Sequence, residues 1–418
     1  MRDIEPSESA AMEFVRQKFI ETSKLFGFQF MEPSPLELLS VIEAKSGPAI
    51  KNEIYNFTDK GEREIALRFD FTIGLTRYAV SQKSMRLPAK FSTFGGVWRY
   101  DEPQKGRYRF FHQWDVEIYG EPNTESDAEI IDFAAKFFSS LGLKGITIDI
   151  CDRGLVESFV RGVFKTESAQ VLGDILRAMD KVQKKRSQEI IREYEEKGYS
   201  AQNIEQVIEF SKIKGTPEEI EKQVDTAKLS NWPKILELFT SLKNRNVTNV
   251  RVNFGIVRGL DYYSGIIFEI FDSSSDLGAL VGGGRYDTLT TAFGRSDLGA
   301  TGAAGGVERI MYSLEKQGVR KVPAEPRVWV AFVNEEMRQV AIRLASELRL
   351  KGIQSEVDLG GRPLKKQMEM ATNSRFAIIV APKELSEGMV VLRNMNDGSE
   401  RKVGINSVAE DLGPSLRS

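Results

Sequence analysis

VWRYDEPQKGRYRFFHQWDVEIYG, residues 97–120, holds two strand-like runs on either side of a polar turn that contains Pro103 and Gly106. Side chains alternate across a strand, so Arg107, Arg109, Phe111, Gln113, Asp115 and Glu117 share one face. Phe110, His112, Trp114, Val116 and Ile118 share the other, which is apolar and suited to packing on a core. Alternation alone fits an antiparallel hairpin with its polar side in water. The gathering of Arg99, Arg107 and Arg109 with Gln113 and Glu117 points elsewhere. Guanidinium groups bind phosphate oxygens in pairs, and an antiparallel sheet presents them without a glycine loop. A carboxylate and an amide farther along the same face would orient a small polar ligand. His112, on the apolar face, reads as a partly buried packing residue rather than a catalyst.

Outward from this stretch, Met12, Val15, Phe19, Ile20, Leu25 and Phe26 recur at helical spacing, and Gly27 stops the helix. Residues 28–31 read as a short strand ending at Pro33, and residues 90–119 are strand-rich. From Leu155 to about Arg245, runs such as ILRAMDKVQKKRSQEIIREYEEKGYS predict solvated helices with apolar faces packed together, inserted in a larger domain. Strand signals return at residues 250–254 and 265–271, followed by Gly282, Gly283 and Gly284. The small residues of GAAGGVERI, 302–310, let backbone approach a ligand or a neighbour closely. They precede a helix with no strand–turn fingerprint and do not fit G-x-G-x-x-G, so a Rossmann reading is poor and close helix–sheet packing is the base case. Arg309 is the residue there with more to offer. Pro323 and Pro326 mark a linker, beyond which strand and helix alternate through RVWVAFV, IQSEVDL and FAIIVAP to MVVLRNM and RKVGI. That alternation predicts parallel crossovers and a small α/β domain of about 90 residues.

A chain of 418 residues is long enough for two or three domains. Its hydrophobic fraction of 41% and charged fraction of 28% are those of a soluble globular protein. No apolar run approaches the roughly 20 residues that span a bilayer, so no membrane partner is expected. The acidic opening MRDIEPSESAAMEF does not read as a secretory signal. The single cysteine, Cys151, excludes an internal disulfide and suits a reducing compartment, so the expected localisation is cytoplasmic. A net charge of −2 exerts no global pull on nucleic acid, which leaves local basic patches. One Cys and one His cannot build a Cys/His zinc site or H-E-x-x-H, and the absence of a Gly-Lys dipeptide removes a Walker A loop.

In IVRGLDYYSG, residues 256–265, Arg258 follows an apolar run, and the phenols of Tyr262 and Tyr263 offer directional hydrogen bonds. Local evidence fits a cleft mouth and a strand edge with a surface arginine equally well.

Taken together, these stretches resemble the signatures of the histidyl-tRNA synthetases, a class II aminoacyl-tRNA synthetase family. Arg99-Tyr100-Asp101 with the loop to Arg109 resembles motif 2, Gly305-Gly306-Val307-Glu308-Arg309 resembles motif 3, and Pro33 fits the motif 1 proline. Leu67-Arg68-Phe69-Asp70-Phe71-Thr72 looks like the family's substrate loop, with Phe69 where many relatives have proline. Val257-Arg258-Gly259-Leu260-Asp261-Tyr262-Tyr263 resembles the histidine-specific element, and Gly283-Gly284-Arg285-Tyr286-Asp287 the second such element. The resemblance implies an α+β catalytic domain built on an antiparallel sheet, the class II synthetase fold, over residues 1–325. It implies a helical insertion at about 155–245 and a C-terminal α/β anticodon-binding domain at 326–418.

The activity so implied is activation of L-histidine with ATP and Mg²⁺ to histidyl-adenylate, then transfer to the 3′ end of tRNA(His). By the resemblance, Asp70, Thr72 and Gln113 hold the α-ammonium, while Glu117 and Tyr263 bind the imidazole nitrogens. Phe71 and Tyr262 join the histidine site. Arg99 and Arg258 clamp the α-phosphate, with Asp101, Arg107, Phe111 and Arg309 on ATP. A homodimer is implied by the family alone. The rival readings are a non-catalytic regulatory paralogue, a synthetase for proline, threonine or glycine, and an unrelated α/β ligase. The intact C-terminal domain and substrate motifs oppose the first, and the element at 258–263 opposes the second.

Overall fold

Two units divide the chain, Met1–Lys321 and Val322–Ser418. The computed structural model describes residues 3–46, 48–100, 102, 108–182, 185–257, 263–319 and 328–416.

In the first unit the amphipathic opening forms α1 (Pro6–Leu25), with proline in its first turn, where a missing N–H costs nothing, and Gly27 at φ 72° beyond its end. The chain continues through β1 (Gln29–Phe30), β2 (Leu36–Leu38), α2 (Leu39–Ser46), β3 (Asn56–Thr58) and β4 (Glu64–Leu67) into α3 (Thr72–Ser81). Strands β2, β4 and β3 pair into a small antiparallel sheet. The two runs of residues 97–120 become the facing ends of β5 (Ala89–Trp98) and β6 (Phe110–Gly120), paired antiparallel from Ala89↔Tyr119 to Trp98↔Phe110. Then come α4 (Thr124–Ser140), capped by Asn123, and β7 (Ile146–Asp152).

Among the described residues six helices follow, α5 (Arg153–Phe164), α6 (Ala169–Lys181), α7 (Ser187–Glu195), α8 (Ala201–Ser211), α9 (Pro217–Glu221) and α10 (Trp232–Asn244), with β8 (Lys214–Gly215) between α8 and α9. Their apolar stripes, among them Ile175, Met179, Tyr194, Ile208 and Leu238, are buried while their charged faces meet solvent. The chain returns through β9 (Val250–Asn253), β10 (Ile266–Asp272), β11 (Val281–Arg285), α11 (Asp287–Ala292), β12 (Gly299–Gly306) and α12 (Val307–Lys316).

Among the described residues nine strands form the main sheet in the order β1-β5-β6-β12-β11-β10-β7-β9-β8. All pairings are antiparallel except β1 with β5 and β7 with β9. One face packs on α1 and α4, where Trp114, Phe19, Phe133 and Phe137 sit with ring centroids 5.3–6.3 Å apart. The polar face of β6 is not in water, contrary to the simplest reading of its alternation: Gln113, Asp115 and Glu117 are 4%, 0% and 1% exposed. Strand β6 is paired on both sides, and α3 closes over this face, with Thr72 Oγ1 3.4 Å from Asp115 Oδ2.

The glycine-rich stretch 299–306 is a second correction, because it forms a complete strand that runs straight into α12. Glycine has low strand propensity, so no periodic signal marks it. It lies there because neighbouring side chains cross it: a Cβ on Gly302 would stand 1.5 Å from Glu117 Oε2, and one on Gly305 2.6 Å from Trp114 Nε1.

The second unit contains β13 (Val328–Phe332), α13 (Glu335–Leu350), β14 (Ser355–Val357), α14 (Leu364–Met370), β15 (Phe376–Val380), α15 (Pro382–Ser386), β16 (Met389–Asn394), β17 (Glu400–Gly404) and α16 (Val408–Leu416). Strand β13 lies between β14 and β15 and is parallel to both, as strand–helix alternation requires, whereas β16 and β17 extend the sheet antiparallel beyond β15. Helices α13 and α16 contribute Leu344, Leu348 and Leu412 to a core with Val330 and Ile378. Gln367, fully buried, braces the ends of β13 and α14: its amide donates to the carbonyls of Phe332 at 3.1 Å and Arg362 at 2.6 Å and accepts from Phe332 N–H at 3.0 Å.

Candidate active site

Above the polar face of β6 opens a cavity of about 310 Å³, a size suited to a small molecule. Asp70 and Thr72 from the start of α3, Arg99, Phe111 and Gln113 from the β5–β6 region, Tyr263 and Arg309 line it. Gly282 of β11 and Gly305 and Gly306 of β12 form part of its wall.

Arg99 is set in place by its neighbours. Its Nε donates to the Phe69 carbonyl at 3.0 Å and its Nη2 to Gln113 Oε1 at 3.2 Å, and its guanidinium stacks 5.1 Å from the Phe111 ring centre. A planar cation fixed at one edge and one face is pre-organised for an anion in the cavity. Across from it Arg309 donates to the Ala279 carbonyl at 2.6 Å. Glu308 also lines the cavity and accepts the His112 backbone N–H at 2.8 and 3.1 Å, with the imidazole Nδ1 3.3 Å away. Asp70 Oδ1 accepts the Ile73 N–H at 3.3 Å at the first turn of α3.

Glu117 lies one strand repeat beyond Asp115, on the same face but deeper. Its carboxylate accepts a hydrogen bond from the Tyr286 hydroxyl. The Tyr119 hydroxyl, also fully buried, is 3.0 Å from Thr76 Oγ1 on α3. Burial, reinforced by the negative charge of Glu117, holds both phenols well above their ordinary value, so each is a neutral hydroxyl at physiological pH. Arg285, next to Tyr286, is buried against Asp127 and Asp287 at 2.9 and 3.1 Å.

A family model described as histidyl-tRNA synthetase matches residues 1–310, and one described as an anticodon binding domain matches residues 327–413. The chain belongs to the histidyl-tRNA synthetase family. It is 34% identical over 439 residues to the histidine–tRNA ligase of Pyrococcus furiosus, covering 100% of this chain and 98% of the relative. Over 432 residues it is 32% identical to that of Caldicellulosiruptor bescii, with coverage of 100% and 98%. The crystal structure of histidyl-tRNA synthetase from Nostoc sp. PCC 7120 superposes with a TM-score of 0.85 at 23% identity over 99% of this chain and 97% of that one, which shows a common fold.

Of the residues that the histidyl-tRNA synthetase signatures singled out, Asp70, Thr72, Arg99, Phe111, Gln113, Tyr263 and Arg309 are brought to one cavity. Phe71 is not: its ring is fully buried in the cluster of Leu75, Phe91 and Tyr119, with the Arg68 guanidinium 4.6 Å from its centre. As the residue that leads into α3, its side chain turns inward while its neighbours Asp70 and Thr72 face the cavity. Glu117 is not among the lining residues either and stands behind them under Tyr286. Asp101, Arg107, Arg258 and Tyr262 lie outside the described residues.

Sequence reasoning placed Tyr286 and Glu308 within family motifs without a role of their own and did not single out Tyr119 or Thr76. A signal for Tyr119 exists, since alternation along β6 places it on the face of Gln113 and Glu117. Nothing local pairs Tyr286 with Glu117, 169 positions away in the chain.

Proposed function

We propose that this chain activates L-histidine with ATP to histidyl-adenylate and transfers the histidyl group to the 3′ end of tRNA(His). The observation that carries this reading is the single cavity that joins a fixed arginine, Arg99, to the ammonium-binding set Asp70, Thr72 and Gln113. A histidine carboxylate oxygen attacks the α-phosphorus, the bond to the bridging oxygen breaks, and pyrophosphate leaves with that electron pair. Arg99 neutralises charge on the α-phosphate, and Arg258, assigned by family resemblance, acts with it. Arg309, Arg107, Asp101 and Phe111 serve the adenosine and outer phosphates. No enzyme side chain becomes covalent; positioning and charge neutralisation carry the step.

Glu117 and Tyr263 would read the two imidazole nitrogens, and Tyr262 would complete the pocket wall. An amino acid without the matching ring leaves these groups unpaired, which gives strong discrimination. Mg²⁺, carried in on the nucleotide phosphate oxygens, would neutralise charge on the departing pyrophosphate.

Residues 326–418 would bind the anticodon region of tRNA(His). A homodimer is favoured by the exposed apolar side chains Phe30, Leu36 and Leu38 on the edge strands β1 and β2. A cytoplasmic location suits Cys151, a buried free thiol and the chain's single cysteine.

The test is amino-acid-dependent ATP–pyrophosphate exchange with each standard amino acid and Mg²⁺. Exchange is expected with histidine alone and is expected to vanish in Arg258→Ala. Exchange with a different amino acid would overturn the roles of Glu117 and Tyr263, and no exchange with any would replace catalysis by a regulatory role.

A further inference from the structure

Tyr263 reaches the cavity from a stretch without helix or strand, since β10 begins only at Ile266. Such backbone keeps its place through the partners of its own polar groups. The Tyr263 carbonyl and the Ser264 N–H belong to one peptide unit, which is planar. Arg153 Nη1 donates to that carbonyl at 2.7 Å, and the Ser264 N–H donates to the Arg285 carbonyl at 2.7 Å. The plane is thus pinned at both of its polar atoms, by the first residue of α5 and by the last of β11. The Arg153 backbone N–H donates in addition to the Gly265 carbonyl at 2.9 Å.

Arg153 is itself braced. The start of α5 is capped by Asp152, whose carboxylate accepts the Leu155 N–H at 2.9 Å and the Asn231 amide at 2.8 Å. Arg153 Nε donates to the Glu157 carboxylate one turn along the helix, and the two side chains are only 23% and 22% exposed. A guanidinium is a rigid fork, so holding its Nε edge also directs Nη1.

We propose that Arg153 is a positioning residue for histidine recognition, holding the peptide unit that follows Tyr263 so that the Tyr263 phenol meets a ring nitrogen of the substrate. Arg153 does not line the cavity, so its effect passes through Tyr263. Without it the Tyr263 carbonyl loses this donor, and the peptide plane is left with its contact to Arg285. Its role rests on the reading of Tyr263 as an imidazole contact.

The test compares Arg153→Ala, Arg153→Lys, Tyr263→Phe and the double variant Arg153→Ala/Tyr263→Phe in histidine-dependent ATP–pyrophosphate exchange. Arg153→Ala is expected to raise the KM for histidine about 10-fold, the lower end for a hydrogen bond from a charged donor, and to leave kcat and the KM for ATP within about twofold. Arg153→Lys, which keeps a donor without the fork, falls between wild type and Arg153→Ala. In the Tyr263→Phe background Arg153→Ala adds no more than about twofold, because the hydroxyl it places is gone, whereas a merely structural role would add its full loss. Should Arg153→Ala not fold, Arg153→Lys alone and with Tyr263→Phe carries the same comparison. An unchanged histidine KM in the Arg153 variants, an equal rise in the KM for ATP, or additive losses in the double variant would overturn the role of Arg153, while impairment of Tyr263→Phe leaves the Tyr263 reading intact. A wild-type histidine KM in Tyr263→Phe removes that reading and the role of Arg153 with it.

Discussion

The Arg285 guanidinium and the Asp127 carboxylate meet 2.9 Å apart with side chains 9% and 5% exposed, tying the end of β11 to the first turns of α4. Two charges so placed give up water, and what replaces it is chiefly each other, with Asp287 and the Asn123 carbonyl also meeting Arg285. Removing one leaves the other buried with less of its charge compensated, at a cost of about 3 kcal/mol, whereas replacing both by apolar groups of similar volume is roughly neutral. Asp127→Ala is therefore expected to shift the urea unfolding midpoint strongly downward, and Asp127→Leu/Arg285→Met to recover most of it. Similar midpoints for the single and double variants would contradict this account.

Gly302→Ala tests the glycine strand. The added Cβ would fall 1.5 Å from Glu117 Oε2 and 2.7 Å from the Val116 carbonyl, so the carboxylate must leave its place. A displacement of about 1 Å at a recognition group costs on the order of 100-fold. The expected outcome is that loss in kcat/KM for histidine with the KM for ATP little changed. A wild-type response to histidine would show that the position of Glu117 is not critical.

Arg99→Lys keeps the charge but discards the planar fork that meets Phe69, Gln113 and the Phe111 ring. The rate of adenylate formation in a single turnover is expected to fall by about 100-fold. Circular dichroism should be unchanged. Retention of the full rate would assign phosphate neutralisation to another residue.

Among the helices after β7, Glu193 of α7 receives Lys181 and Lys185, and these hydrogen bonds hold its carboxyl down at about 2 from the ordinary 4.5. A depressed carboxyl contributes stability above its unfolded value and loses it as pH falls toward the folded one. The stability difference between wild type and Glu193→Gln should be constant above about pH 5 and shrink on acidification. Because the group is partly exposed, 1 M salt should reduce the difference at every pH. A difference independent of both pH and salt would assign the effect to packing.

Legibility followed the range of the signal. Helix α1, the arms of β5 and β6 and the strand–helix alternation of the second unit were readable because each carries its own period over ten or more residues. Strands β2, β3 and β4, of 3, 3 and 4 residues, are too short to display one. Strand β12 is built of Gly, Ala and Thr and shows no apolar alternation at all. In the candidate site, the Arg99, Gln113 and Glu117 set was visible as one strand face. The burial of that face was not, since alternation looks the same whether a polar face meets water or a closed cavity.

The sequence by itself determined which side chains share a face and which local segments form helix or strand, because those depend on neighbours within a few residues. It also carried the family signatures in Arg258-Gly259-Leu260-Asp261-Tyr262-Tyr263 and Gly305-Gly306-Val307-Glu308-Arg309. Only the tertiary structure decided that Glu117 stands behind the cavity under Tyr286, that Phe71 turns into the core, and that Thr76 and Tyr119 meet. The Thr76–Tyr119 and Glu117–Tyr286 contacts join positions 43 and 169 apart, and the geometry of the site follows from strand order, register and the missing side chains of Gly302 and Gly305, none of which has a local period.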